Sequence, residues 1–498
     1  MKIRMVRFVL GRILLVEGLL MIPSLLVTLL YREGLRPAMA FVFPIVLLVL
    51  IGFLMCRRMP EKTSLYARDG LAIVAMAWVL MSLFGALPFW LSGDIPNFVD
   101  CFFETVSGFT TTGSTILTAV EPLGKGVLFW RSFTHWVGGM GVLVFVMAVL
   151  PMSDGHGMHL MRAEVPGPTV GKLVSRMSDT AKILYGIYFA MTILLIVLLM
   201  FGGMDLYDSC IHAFGAAGTG GFSNRNLSVG AYDSVYFDVV IGTFMLLFGV
   251  NFNLYYLILI KRAKDAFASE ELRAYLLIVA VSVLLITADI CSIYDSVWTS
   301  LRHAYFQVSS IVTTTGYTTV DFNTWPGLSK TILVLLMFIG ACAGSTGGGL
   351  KVSRILILVK ASIRDMRRML HPNAIVTVHF EQKPLDEKTV RSSQMYLTVY
   401  VLVFVLSVLL LSFEEMDLVT TFTAVAACLN NIGPGLEIVG PMGNFASLSW
   451  ASKLLLSLNM LIGRLEIFPM ILIFAPSIWK RKRSATSLQQ KLRNLRKR

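Results

Sequence analysis

The strings FTTTGST at residues 109–115 and IVTTTGYT at 311–318 place the same T-T-T-G run twice in one chain. Two more, AGTGGFS at 217–223 and CLNNIGPGL at 428–436, put a glycine in the corresponding place. The four glycines, Gly113, Gly221, Gly316 and Gly433, are 108, 95 and 117 residues apart. Each closes a short segment (97–108, 205–218, 295–312 and 415–429). A membrane-spanning helix needs about 20 residues, so these segments enter a bilayer without crossing it. Acidic residues stand near their starts (Asp100, Asp205 and Asp208, Asp295, Asp417), as suits the N-terminus of a helix. A unit of long span, half-span, glycine loop and second span therefore occurs four times. Because each unit leaves and returns on one face, the four repeat in parallel about an axis along the membrane normal.

Non-helical backbone at membrane depth is tolerated where it lines a water-filled path or is buried in protein. Four such loops on one axis bring four strands of carbonyls together, and carbonyl rings replace the hydration shell of a monovalent cation. Glycine serves there because it reaches positive φ without a Cβ clash. The half-helices aim their negative ends at the same centre. No ring of carboxylates of the kind suited to a divalent ion accompanies them. A single such glycine fits helix packing equally well; four in equivalent places do not.

The composition agrees. Of 498 residues, 56% are hydrophobic and 15% charged, against about 25% charged in soluble domains, which excludes a soluble enzyme with one buried core. Ten apolar stretches read as spans: 8–31, 38–55, 71–91, 126–150, 183–204, 237–260, 272–293, 328–359, 396–413 and 454–478. The first carries Arg12 and Glu17 and lacks a cleavage site, so it is expected to be retained. Six cysteines without a C-x-x-C pair indicate neither a disulfide framework nor a zinc site. The loops 2–7, 57–68, 162–182, 261–273, 360–391 and 480–498 hold 31 of the 43 Lys and Arg, against 7 in the opposite set. The positive-inside rule then puts both termini in the cytoplasm. The tail 480–498 has nine basic residues and no acidic one; anionic lipid is its expected contact, ahead of a cytoplasmic partner, with nucleic acid well behind.

These residues resemble the Trk/Ktr/HKT superfamily of potassium transport proteins, and within it the bacterial TrkH/TrkG branch. The likeness covers almost the whole chain. It is carried by the four glycine strings, RAEVPGPTV at 162–170 followed by LYGIY, HWVGGMG at 135–141, GACAGSTGGGLK at 340–351 and LIGRLEIF at 461–468. The resemblance implies an all-α membrane protein with two leading helices in 1–68. Four M1–P–M2 repeats follow in 69–181, 182–268, 269–391 and 392–479, and then the tail 480–498. It implies potassium held by carbonyls of Thr111, Thr112, Gly113, Gly220, Gly221, Thr314, Thr315, Gly316, Asn431, Ile432 and Gly433. It further implies a homodimer with one path per subunit in a bacterial inner membrane, and a cytosolic nucleotide-binding ring of the TrkA type. In this superfamily glycine at all four positions goes with K⁺, and serine at the first with Na⁺. The second segment departs from relatives with Ala216-Ala217-Gly218 where polar residues are usual, and the basic tail is longer than expected of close relatives.

The span 328–359 is interrupted by Gly344, Ser345, Thr346, Gly347, Gly348 and Gly349, and glycine costs about 1 kcal/mol relative to alanine inside a helix. Lying inward of the filter, this segment is expected to fold across the path as a gate, which the resemblance also implies. Arg464 sits mid-span, where a charge is functional by default; carbonyls or hydroxyls of 344–349 are its expected partners. A salt bridge to Glu466 ranks lower, because residues two apart on a helix do not face each other. Lys351 either adds to the barrier or snorkels to the interface.

Other features carry less. Asp154, His156 and His159 lack the further ligands of a metal site. His212 reads as a packing or hydrogen-bonding histidine, and Glu17 as a partner of Arg12. No nucleophile elbow, P-loop or Rossmann fingerprint occurs, so no enzyme and no organic cofactor are expected. The alternative to a gated path is a carrier coupling K⁺ to H⁺ or Na⁺. It would need titratable groups near the midplane, and the few present, Glu17, Asp289 and Glu466, do not converge on the filter by sequence.

Overall fold

The computed structural model describes residues 3–58, 67–141, 177–374, 376–473 and 475. Two apolar segments lead. Helix α1 (Ile3–Leu20) continues as α2 (Ile22–Leu30), the break falling before Pro23, and α3 (Leu35–Cys56) packs back against α1. Gly11 and Gly52 sit at that crossing, where a Cβ on either would press on the other's carbonyl, the close small-residue approach of membrane helices.

Four units follow in one element order. The first has α4 (Ala67–Gly85), α5 (Leu87–Ser92), the short α6 (Phe98–Phe109) and α7 (Lys125–Gly139). The second has α8 (Met177–Phe201), the short α9 (Leu206–Gly218), and α10 (Val235–Phe248) with α11 (Phe252–Leu259). A short helical turn, α12 (Ala263–Phe267), leads to the third: α13 (Glu270–Ile290), the short α14 (Val297–Val312), α15 (Gly327–Phe338) and α16 (Val352–Leu370). A two-stranded hairpin, β1 (His379–Phe380) with β2 (Lys383–Pro384), precedes the fourth. That unit comprises α17 (Glu387–Leu411), the short α18 (Leu418–Leu429), and α19 (Trp450–Arg464) with α20 (Phe468–Ile473).

Among the described residues, six helical segments are long and apolar enough to cross a membrane, and a seventh arises if α10 and α11 count as one span. These two meet at 92°. The outward faces of α3, α13 and α17 expose Phe43, Phe53, Leu277, Leu284, Leu402 and Leu406, as lipid contact requires. The chain is an integral membrane protein.

The short helices begin on side-chain caps. Asn97, Asp205, Ser296 and Asp417 accept from the backbone N–H of Val99, Tyr207, Trp298 and Thr420. The cap of α14 is thus Ser296, one residue beyond the expected Asp295. Asp100 lies in the first turn of α6 and binds Lys453 Nζ at 2.7 Å.

The sequence singles out one interrupted inner helix, in the third unit. In the structure α7 ends at Met140 and Gly141, and the inner helices of the other three units are each interrupted: α10 at Gly249, α15 at Ile339, and α19 at Leu465. In the fourth unit two non-glycine residues, Glu466 and Ile467, take positive φ of 53° and 66°. No regular pattern marks that break in the sequence.

Candidate functional site

Each short helix ends in the same way. Thr111, Thr219, Thr314 and Asn431 adopt left-handed backbone, with φ of 53°, 55°, 58° and 56°. The next N–H in each unit (Thr112, Gly220, Thr315, Ile432) then donates five residues back, to the carbonyls of Ser107, Gly215, Ser310 and Ala427, at 2.8–2.9 Å. This closes the helix as a Schellman turn. The following residue is Gly113, Gly221, Gly316 or Gly433, again at positive φ. Four segments of different sequence thus share one backbone course.

The four loops meet in a closed cycle. A Cβ on Gly113 would collide with the carbonyl of Gly220, one on Gly221 with that of Thr315, and one on Gly316 with that of Ile432. A Cβ on Gly433 would lie 2.8 Å from the carbonyl of Thr112, which closes the circle. Glycine is required here twice over, by its φ and by the neighbouring carbonyl. A polar cavity of about 300 Å³ is lined by all four glycines, together with Ser114, Thr118, Ser223, Asn226 and Asn444.

Buried groups behind the loops hold them. Thr110 Oγ1 and Thr112 Oγ1 are 2.8 Å apart, as are Thr313 Oγ1 and Thr315 Oγ1. Asn431 Nδ2 donates to Thr112 Oγ1 at 2.9 Å. Glu104 of α6 accepts from Thr115 Oγ1 and the Ile116 N–H, and pairs with Arg131 of α7 at 2.6 Å. Arg131 also donates to the Ser223 carbonyl at 3.0 Å. The first and second loops therefore share one buried ion pair.

On the other side of the cycle lies the segment from 339 to 351. The Gly348 N–H donates to Thr314 Oγ1 at 2.6 Å, and a Cβ on Gly348 would collide with the Asn430 carbonyl. Arg464, at the end of α19, donates to the Thr346 carbonyl at 2.8 Å and to the carbonyls of Gly138 and Gly139. It thereby bridges the broken ends of the first, third and fourth inner helices. Lys351 is 2% exposed and turns back onto the segment, donating to the carbonyls of Gly347 and Gly348; it does not snorkel. Glu466 pairs with Arg354 rather than with Arg464. Glu271 of α13 accepts from the N–H groups of Ala343 (2.8 Å) and Ser353 (3.0 Å), holding both edges of the segment.

Every expected filter and gate residue falls in this assembly. Thr219 is the addition: it takes the left-handed place held by Thr111 and Thr314. Counting back two positions from Gly221 would have found it. The Ala216-Ala217-Gly218 departure lies in the last turn of α9 and runs directly into the loop at Thr219. His212 bonds the Asp208 carbonyl and Ser223 Oγ, as a buried hydrogen-bonding histidine. Glu17 does not pair with Arg12, whose guanidinium sits over the Phe8 ring. Both Glu17 carboxylate oxygens lack a hydrogen-bond partner among the described residues. Asp154, His156, His159, RAEVPGPTV and the tail 480–498 lie outside the described residues.

The fold and its fourfold glycine cycle define a helical membrane protein whose four glycine loops close on one another. Residues 38–481 match the model of the TrkH family, cation transport proteins, and the chain belongs to that family, one of transporters rather than enzymes. The Trk system potassium uptake protein TrkH of Salmonella typhimurium is 39% identical over 474 residues, covering 94% of this chain and 97% of the relative. TrkG of Escherichia coli K12, also named a Trk system potassium uptake protein, is 34% identical over 96% of this chain and 99% of its own. The crystal structure of the potassium transporter TrkH from Vibrio parahaemolyticus is similar with a TM-score of 0.86 and 33% identity, covering 96% of this chain and all of that one.

Proposed function

We propose that this chain is the potassium-selective permeation subunit of a Trk-type uptake system. The observation that carries the reading is the single cavity lined by all four loop glycines, each packed on the next loop's carbonyl. The names of the relatives support K⁺ as the cargo. The ion is held by carbonyls of Thr111, Thr112, Gly113, Gly220, Gly221, Thr314, Thr315, Gly316, Asn431, Ile432 and Gly433, with Thr219 added, and no organic cofactor is used. Glycine at all four positions favours K⁺ over Na⁺.

Residues 344–349 form the gate in its closed position, pinned by Arg464 and Lys351. A cation placed there also opposes the passage of K⁺. The chain works as a homodimer in the bacterial inner membrane, both termini cytoplasmic. A cytosolic TrkA-type nucleotide-binding ring sets the gate, and the basic tail lies on anionic lipid. The chain divides into 1–68, four units in 69–181, 182–268, 269–391 and 392–479, and the tail. A second reading, a carrier coupling K⁺ to H⁺ or Na⁺, draws on Glu17, which is buried without a hydrogen-bond partner among the described residues.

Deleting 347–349, or Arg464→Ala, should raise cation flux in the absence of any cytosolic partner. Flux at background in both variants would remove the gate from the account.

A further inference from the structure

The second loop is built differently from the others. In the first and third, a pair of threonines two residues apart ties the loop to its own helix: Thr110 and Thr313 bond back to the carbonyls of Val106 and Ser309 at 2.6 Å, and each meets the next threonine's hydroxyl. In the fourth, Asn430 Nδ2 donates likewise to the Ala426 carbonyl, and the buried Ile432 stands where Thr112 and Thr315 do. The equivalent positions of the second loop are Gly218 and Gly220, which have no side chain to offer.

His135 of α7 occupies both vacated places. A Cβ on Gly220 would fall against Cγ, Nδ1 and Cδ2 of the His135 ring, and one on Gly218 against the His135 backbone carbonyl. The ring is fully buried. Its Nδ1 lies 2.7 Å from the Gly108 carbonyl in the first short helix, and its face packs on Phe222 at 4.1 Å, just beyond Gly221. One turn earlier on the same helix, Arg131 lies over the opposite end of this contact, 3.5 Å from the Phe222 ring centre.

We infer that His135 is the external strut of the second loop, a positioning residue that fixes the spacing of the Gly220 and Gly221 carbonyls and so helps set K⁺ over Na⁺ discrimination. The imidazole stands in for the threonine hydroxyl that the first and third loops supply from within. The pairing is reciprocal: glycine at 220 is needed because the ring is there, and the ring is needed because 220 is glycine. This rests on the filter reading proposed above.

The test is rubidium uptake by proteoliposomes of the full chain, with K⁺ and Na⁺ as competitors, for His135→Ala, Gly220→Ala, the double variant, and Gly316→Ser as a filter control. His135→Ala should lower the K⁺ over Na⁺ ratio by about tenfold, the change that 1.4 kcal/mol produces. Gly220→Ala alone should cut uptake by about tenfold or more through the collision with the ring, and His135→Ala in the same chain should restore most of it. A wild-type ratio in His135→Ala while Gly316→Ser loses discrimination would overturn the strut and leave the filter standing. A double variant no better than Gly220→Ala would overturn it as well, and that comparison decides the matter if His135→Ala accumulates poorly. An unchanged ratio in Gly316→Ser would sink the filter reading and the strut with it.

Discussion

A residue with a side chain held in left-handed backbone costs about 1–2 kcal/mol relative to glycine, yet Thr111, Thr219, Thr314 and Asn431 all hold it. At two of the four the side chain offsets the cost: Thr314 Oγ1 accepts from the Gly348 N–H, and Asn431 Nδ2 reaches Thr112 Oγ1. Two residues on, the requirement reverses, because the neighbouring loop's carbonyl fills the space a Cβ would take. Gly316→Ser therefore forces either its own backbone or the Ile432 carbonyl to move. The expected result is a folded protein whose K⁺ over Na⁺ permeability ratio falls by about tenfold or more, measured by reversal potential or competed uptake. An unchanged ratio would remove Gly316 from the filter. The four glycines were legible in the sequence because two share the string TTTG. Thr219 was hidden, because flanking glycines at 218, 220 and 221 blur which residue plays which part. The role of His135 was hidden for another reason: its contact lies some 85 residues away in the chain, in another unit.

At the scale of elements, the breaks in the inner helices decide what can move. The third unit's break is a loop of twelve residues or so rather than a kink, and one carboxylate holds both its edges. Glu271 accepts from Ala343 and Ser353, and it stands in the first turn of α13, whose leading N–H groups and Ser269 hydroxyl are bonded to Glu381 of the β1–β2 hairpin. A displacement of that hairpin thus reaches residues 339–351, the proposed gate, through one helical turn. Leaving a buried donor unmade costs about 1–3 kcal/mol, so Glu271→Ala should loosen the closed segment and raise partner-independent flux by about tenfold. Glu271→Gln, which keeps an acceptor oxygen, should fall between that variant and wild type. Equal flux in all three would show that these two bonds do not hold the gate. Only the third break could be read from the sequence, since a run of glycines cannot be held as helix for packing alone. The others are made by single residues in helix-compatible company, as at Gly249 and at Glu466–Ile467, and depend on tertiary contacts that periodicity does not register.

For the molecule as a whole, the excess of Lys and Arg on one set of loops fixes an expected orientation, with the gate's hairpin and the basic tail on the cytoplasmic side. The tail carries nine basic residues and no part of the filter, so removing 480–498 should weaken binding to anionic vesicles or to a cytosolic partner in pull-down. It should leave the K⁺ over Na⁺ ratio as it was; a shifted ratio would contradict the separation of tail and filter. The proposed path is gated and driven by the potassium gradient itself. It is tested most directly by rubidium uptake into K⁺-loaded proteoliposomes containing this chain with residues 347–349 deleted. The account predicts uptake driven by that gradient alone, suppressed by external K⁺ and little by Na⁺ or Li⁺. Uptake that appears only when a proton or sodium gradient is imposed would contradict it and establish a coupled carrier instead.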